Sequence, residues 1–302
     1  MIEIEGLTFG ADPEFFLMDR DSGNGKVFNA TTGVKGKPEW IQLDVTGAYA
    51  EYGLLKDGVC AEINIKPNPD PYVIWKICST ALSHMNRRIR GSNEQFYCSD
   101  SVNFPADSLT EPADIEIGCS ADFDAYSDTP QAPRSIDHIL AKYKKGYRYA
   151  GGHVHMGYPP NDIPKFVVAR LLDMFTCPYR SMIGRNNRSS MYGQPGLYRP
   201  TDYGIEYRTP SNHWVDYKPG AASLFRGMQA VGYIIQNADL VKTIWQNIDW
   251  TELRHTLHTY ELMQEKEWVV WLEKYCQTIK ELAPVLEILN EPFPTKRALE
   301  GI

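Results

Sequence analysis

The sequence predicts an α+β fold: an antiparallel sheet with inserted helices, followed by a helical C-terminal stretch. Three observations predict it. Residues 1 to about 218 alternate short strand-like runs with Gly, Pro and Asp turns. Residues 219 to 290 read almost wholly helical. Four segments of the first stretch place two polar or charged residues two positions apart in an apolar context, which is the spacing of one face of a β-strand. No repeat, low-complexity tract or linker divides the chain. Residues 1–218 therefore read as a sheet domain and 219–302 as a helical extension packed on it.

The elements follow in order. Asp57-Gly58 is a turn signal that starts a strand over Val59–Ile65, and Pro67 and Pro69 end it. Val73, Ile74, Ile77, Cys78, Ala81, Leu82, Met85 and Ile89 recur with a 3.6-residue period and close at Gly91, the pattern of an amphipathic helix. A second helix follows Pro164, with Phe166, Val167, Leu171, Leu172 and Phe175 on its apolar side. A third follows Pro219-Gly220 through Leu224, Met228, Val231 and Ile235. The stretch from Asp239 to Leu289, rich in Trp, Leu and Tyr, predicts two or three more. Trp214 and these aromatics read as core in preference to a subunit interface; the sequence is silent on oligomeric state.

Composition excludes several classes. With 302 residues, 43% hydrophobic and 23% charged, the chain has enough apolar material for a sizeable core. A net charge of -7 without a Lys/Arg block argues against a general nucleic-acid surface, while leaving room for a local anion pocket. Met1-Ile2-Glu3-Ile4-Glu5 has acids where a secretory leader carries its basic region, and no long apolar run offers a membrane span, so a cytoplasmic protein is expected. The six cysteines, Cys60, Cys78, Cys98, Cys119, Cys177 and Cys276, form no C-x-x-C pair, and read as buried, reduced thiols.

The four strand segments are Asp12-Pro13-Glu14, Glu62-Ile63-Asn64, His153-Val154-His155 and Glu206-Tyr207-Arg208. Any one of them is explained by a solvated strand face. Together, their carboxylates, imidazoles and arginine differ from the Thr, Lys and Ser usual on a wet sheet. Gly151-Gly152 and Gly157 flank the histidines and let a backbone or ligand come close. Carboxylates with one or two histidines and no cysteine make a mostly hard-oxygen set suited to Mg²⁺ or Mn²⁺. An arginine beside it matches phosphate or carboxylate oxygens, so nucleotide phosphate on a metal, and phosphoryl transfer, is the economical inference.

Other candidates surround this set. Arg185 and Arg188, and Arg199 in the Gly-rich stretch before Glu206, suit anion recognition, and with Tyr192 and Tyr198 they are candidates for substrate selection. Asp122 and Asp124, beside Gly118 and Ser120, read either as site residues or as a solvated turn. His84, His138, His255 and His258 lack a partner motif and read as structural or exposed. Nothing in the chain makes a convincing Ser-His-Asp or Cys-His set.

Five segments carry a resemblance: Gly10-Ala11-Asp12-Pro13-Glu14-Phe15-Phe16, Asp57-Gly58-Val59-Cys60-Ala61-Glu62-Ile63-Asn64, Gly118-Cys119-Ser120-Ala121-Asp122-Phe123-Asp124, Gly151-Gly152-His153-Val154-His155-Met156-Gly157 and Tyr203-Gly204-Ile205-Glu206-Tyr207-Arg208-Thr209. In this order they resemble the tailed-phage carboxylate-amine ligases, or type 2 COOH-NH2 amidoligases, which are similar to the glutamine synthetase and glutamate-cysteine ligase superfamily. The resemblance covers residues 9 to 214. It implies a glutamine synthetase-like curved antiparallel sheet with helices on one face, ATP and Mg²⁺ (or Mn²⁺) as cofactors, and small-molecule or peptide carboxylate and amine substrates joined through an acyl phosphate. It implies that Asp12, Glu14, Glu62, His153 and Glu206 hold metal and that His155 and Arg208 face nucleotide phosphates; Asn64, Asp122, Arg185, Arg188, Tyr198 and Arg199 are, on their own sequence context, the candidates for binding ATP or substrate. Where the superfamily's first strand usually carries two glutamates, this chain has the shorter Asp12 before Pro13, which implies contact through water. A phage-encoded enzyme would act in the host cytoplasm. The alternatives are a metal-dependent hydrolase, a small-molecule kinase of the same fold, or an inactive scaffold.

Overall fold

The computed structural model describes residues 4–29, 32–45, 48–105, 107–115, 122–135, 146–183, 192–259 and 262–293. Its central strand β1, Thr8–Asp19, alternates Phe9, Ala11, Phe15 and Leu17 on one face with Asp12 and Glu14 on the other, and takes antiparallel partners on both sides. The further strands are β2 (Gly25–Lys26), β3 (Glu39–Val45), β4 (Ala48–Asp57), β5 (Cys60–Ile65), β6 (Glu94–Tyr97), β7 (Ser101–Asn103), β8 (Phe123–Asp124), β9 (Tyr147–Tyr149), β10 (Gly152–Gly157), β11 (Leu197–Thr201) and β12 (Gly204–Tyr207). Ten of them form one sheet in the order β3-β4-β5-β1-β10-β12-β11-β8, with β2 and β6 also pairing β1; β7 and β9 make a separate pair. Its ladders are antiparallel, so the expected mixed fold with a large antiparallel sheet is present.

Helices cover the apolar face. Helix α1, Pro71–Arg88, starts where the Asp70 side chain accepts from the Tyr72 N–H and Pro71 takes a first-turn position that needs no donor. A short α2 spans Pro112–Ile115. Helices α3 (Lys165–Ile183) and α4 (Lys218–Ile234) pack on each other, and α3 also lies on β11 and β12. Phe225 of α4 meets Phe9 of β1 and Trp214 edge-on, with ring centres 5.9 and 5.5 Å apart. Trp214 is fully buried and its indole N–H donates to Gly152 O at 2.9 Å, so it is core, as the sequence favoured.

Among the described residues the C-terminal stretch holds four α-helices where two or three were expected: α5 (Ala238–Asn247), α6 (Trp250–Thr259), α7 (Leu262–Thr278) and α8 (Ala283–Asn290). Local capping divides them. The Asn237 side chain accepts from Asp239 and Leu240 N–H, and that of Asp249 from Thr251 and Glu252 N–H, which starts α5 and α6 separately. Helix α7 packs on α3 and α8 on α4. Their Leu272, Cys276, Val285 and Ile288 belong to the same buried cluster as Phe9, Val154 and Phe225.

Among the described cysteines, Cys60, Cys78 and Cys276 are buried, Cys98 is partly buried, and all four are free thiols. Cys119, the Cys177 side chain and His138 lie outside the described residues. Among the described residues no helix is long and apolar enough to cross a membrane. Phe225 couples helix, strand and Trp214, so Phe225→Ala should cost about 3–5 kcal/mol, read from the denaturant midpoint.

Candidate active site

Strand pairing assembles the site. Directly paired residues of adjacent strands project from the same face. Asp12 pairs with His153 and Gly10 with His155 between β1 and β10. Glu14 pairs with Glu62 on β5. His155 pairs with Glu206 on β12, which in turn pairs with Arg199 on β11. All four polar pairs read from the sequence thus lie on the face opposite the helices. The approach at β10 is tight. A Cβ on Gly152 would lie 2.2 Å from Ser211 O, and one on Gly151 2.1 Å from the His153 ring, so only glycine fits at either place. The Gly151 N–H in turn donates to Glu14 Oε2 at 2.5 Å, tying the strand end to the carboxylate.

Two groups of metal-capable side chains sit side by side. Asp12, His153 and Glu206 form one, and Glu14, Asp57 and Glu62 the other; within each, the ligand atoms lie within 4.8 Å of one another. His153 Nδ1 is 3.7 Å from both Asp12 and Glu206, and its Nε2 is 2.9 Å from the Tyr192 hydroxyl. With Nε2 carrying the ring proton, the Nδ1 lone pair faces the carboxylates. In the second group Asn64 Nδ2 donates to Glu62 Oε1 at 2.8 Å and so orients it.

The two ends of this face differ in charge. Burial, reinforced by Asp57, pushes Glu14 up to about 8 against the pull of the Gly151 N–H. Burial and then Asp12, Glu14 and Asp57 push Glu62 up to about 9. Burial raises Asp57 as well. At the other end burial also works to raise Asp12, but His155, Arg208 and Arg199 outweigh it and hold the carboxyl below its ordinary value. Burial depresses His155, yet Asp12, whose Oδ1 is 3.2 Å from Nε2, and Glu206 outweigh it and raise the imidazole. At the β4-β5-β1 end the carboxyls of Glu14, Asp57 and Glu62 are therefore all pushed toward the neutral form. The β10-β12-β11 end is ion-paired.

Arg208 is buried and held by Glu206, by Asp122 at 2.5 Å from its Nε, and by the Tyr192 hydroxyl, to which Nη2 donates at 2.5 Å. Arg199, more open, donates to the other Glu206 oxygen at 2.9 Å. Asp122 is thus a buried brace for Arg208, and its place in the site comes through that arginine. Tyr198 is not brought to the site. It pairs with Tyr207 on the helix-covered face, and its hydroxyl donates to Pro130 O at 2.7 Å, because its position in β11 has the opposite parity to Arg199. Asn64 acts on Glu62. Arg185 and Arg188 lie outside the described residues.

Three further residues have a place in the site that the sequence reading did not give them. Asp57 reads as a turn residue, but the tight Gly58-Val59 turn pairs it with Cys60, on the face of Glu62; the hairpin register was the available signal. Tyr192, a candidate for substrate selection by sequence, bridges His153 and Arg208 through its hydroxyl. Tyr203, in the β11–β12 turn, places its hydroxyl 2.5 Å from His155 Nδ1; no local pattern marks it.

No model of a known protein family matches the chain. No curated protein matches it at a significant level.

The carboxyl cluster makes a signed prediction. Glu14 and Glu62 have an ordinary value of 4.5, so between about pH 5 and 8 the folded chain binds more protons at these groups than the unfolded chain. Their contribution to stability therefore falls as pH rises through that window. Without metal, melting temperature should drop relative to the Glu14→Gln/Glu62→Gln double variant from about pH 5 to pH 8, and added Mg²⁺ should restore it more at the higher pH and only in the wild type.

Proposed function

We propose that this chain is an ATP- and Mg²⁺-dependent carboxylate-amine ligase with a glutamine synthetase-like curved sheet, related to the phage amidoligases that its motifs resemble. The observation that carries the reading is the polarised face: two adjoining groups of metal-capable side chains run directly into a field of arginine and histidine. Such a face suits a nucleotide whose phosphates lie between divalent cations and guanidinium groups.

The residues present fit magnesium. Glu14, Asp57 and Glu62 are oxygen donors whose neighbours supply amide N–H groups, and their raised carboxyls are what crowded acids show when a cation would relieve them. Asp12, His153 and Glu206 would hold a further ion. Bound there, Mg²⁺ would neutralise triphosphate charge. The carboxylate substrate attacks the γ-phosphorus of ATP as the bond to the β–γ bridging oxygen breaks, giving acyl phosphate and ADP. The amine nitrogen then bonds to the acyl carbon, phosphate leaves and the nitrogen loses a proton. Arg199 is the guanidinium open enough to meet the transferring group, with its orientation set by Glu206. Arg208, clamped by Glu206 and Asp122, supplies fixed positive charge beneath it, and His155, whose charged form Asp12 favours, adds to the field that the phosphates meet. No protein nucleophile takes part. The same reading places the enzyme in the cytoplasm, that of a bacterial host if the gene is a phage's.

The mixed Asp12-His153-Glu206 group also suits a zinc-activated water, which makes a hydrolase the second reading. One assay separates the two. Purified protein with ATP, Mg²⁺ and pooled carboxylates and amines should release phosphate together with a product lighter by one water than its substrates. Glu14→Gln and Arg208→Ala should each lower the rate about 100-fold or more while the protein stays folded. Absence of ATP–Mg²⁺ binding sinks the ligase, and bond cleavage without nucleotide establishes the hydrolase.

A further inference from the structure

The polar face does not end at Glu62. Trp40 of β3 pairs with Gly53 of β4, and Gly53 pairs with Asn64 of β5, so the three lie in one row across the strands on the face that carries Glu62, Glu14 and Asp12. A Cβ added to Gly53 would lie 3.6 Å from the Trp40 ring and 3.4 Å from the Asn64 Cβ. The indole therefore leans over the glycine toward Asn64. Trp40 is nonetheless 48% exposed, an unusual position for a large aromatic in a chain that buries most of its own. The ring edge thus sits at contact distance over Gly53, beside Asn64.

A cation already sits on this ring. Lys66 Nζ lies 5.3 Å from the Trp40 ring centre and forms an ion pair with Glu51, which follows the same strand parity as Gly53 and Asp57. An indole face and a carboxylate thus converge on one ammonium. The Lys66 side chain is 63% exposed, so it can leave without unfolding anything. From Gly53, Glu62 and Glu14 lie one and two strands further on and two residues along, roughly 8 and 12 Å away, and Trp40 lies one strand further out.

We propose that Trp40 and Glu51 form the outer subsite for the amine substrate, which is an elongated polyamine-type chain: its distal ammonium replaces Lys66 on the indole, and the chain runs over Gly53 and Asn64 toward the edge of the Glu62 group, where its neutral inner amine meets the acyl phosphate and the carboxyls stay with Mg²⁺. This deepens the ligase reading by naming the acceptor and rests on it for the fate of the inner amine, but binding needs no turnover. The opposite end of the face, with Arg199 and Arg208, takes anions, so the two substrates enter from opposite ends.

The test uses the full chain labelled with 5-fluorotryptophan, the Trp40 signal being the one lost in Trp40→Phe. Spermidine should move that signal saturably at constant ionic strength, and butane-1,4-diol should not. By calorimetry, Trp40→Ala and Glu51→Gln should weaken spermidine binding about tenfold, Trp40→Phe less, and Lys66→Ala should tighten it by removing the internal competitor. An unmoved Trp40 signal, an equal response to the diol, or weaker binding in Lys66→Ala overturns the proposal. ATP–Mg²⁺ binding measured on the wild type without amine tests the ligase reading separately.

Discussion

Everything chemical in this protein depends on one register, the antiparallel pairing of β1 with β10 that sets Asp12 opposite His153. A strand's side chains alternate between faces, so a slip by a single residue would turn Asp12, Glu14 and both histidines into the helix-packed core. Phe9, Ala11, Phe15, Val154 and Met156 would move to the open face at the same time. The apolar face fixes this register. Burying it against α1, α3 and α4 is incompatible with any odd shift, and the polar face is placed as a consequence.

That polar face is costly. Arg208, Glu206 and Asp122 are buried charges, and burying ions in a protein interior stabilises little or nothing unless they meet in good geometry. Here Arg208 sits between the Glu206 and Asp122 carboxylates and donates to the Tyr192 hydroxyl. Toward β5 and β4, burial and the crowding of Glu14, Asp57 and Glu62 push all three carboxyls toward the neutral form. A structure optimised for stability alone would not place three carboxyls so close. The arrangement makes sense as preorganisation for positive charge arriving from outside.

Much of this was legible in the chain. Period-3.6 runs located α1, α3 and α4, and the two-residue spacing of Asp12/Glu14, Glu62/Asn64, His153/His155 and Glu206/Arg208 marked one strand face, because both signals are local. The four tail helices were undercounted since single polar caps, Asn237 and Asp249, interrupt a continuous apolar pattern. Tyr198 was misplaced for a similar reason: which of two neighbouring strand residues faces the site depends on the partner strand, and its neighbour Arg199 took that side.

By itself, then, the sequence determined the residue types of the site and the strand faces that carry them, since alternation is a property of each strand alone. The tertiary structure decided which strands lie next to one another. It brought Asp57 to Glu14 and Glu62, set Tyr192 between His153 and Arg208, and put Trp40 in line with Asn64. Those juxtapositions join residues far apart in the chain, and the burial of the opposite face, summed over the whole sheet, is the physical term that selects them.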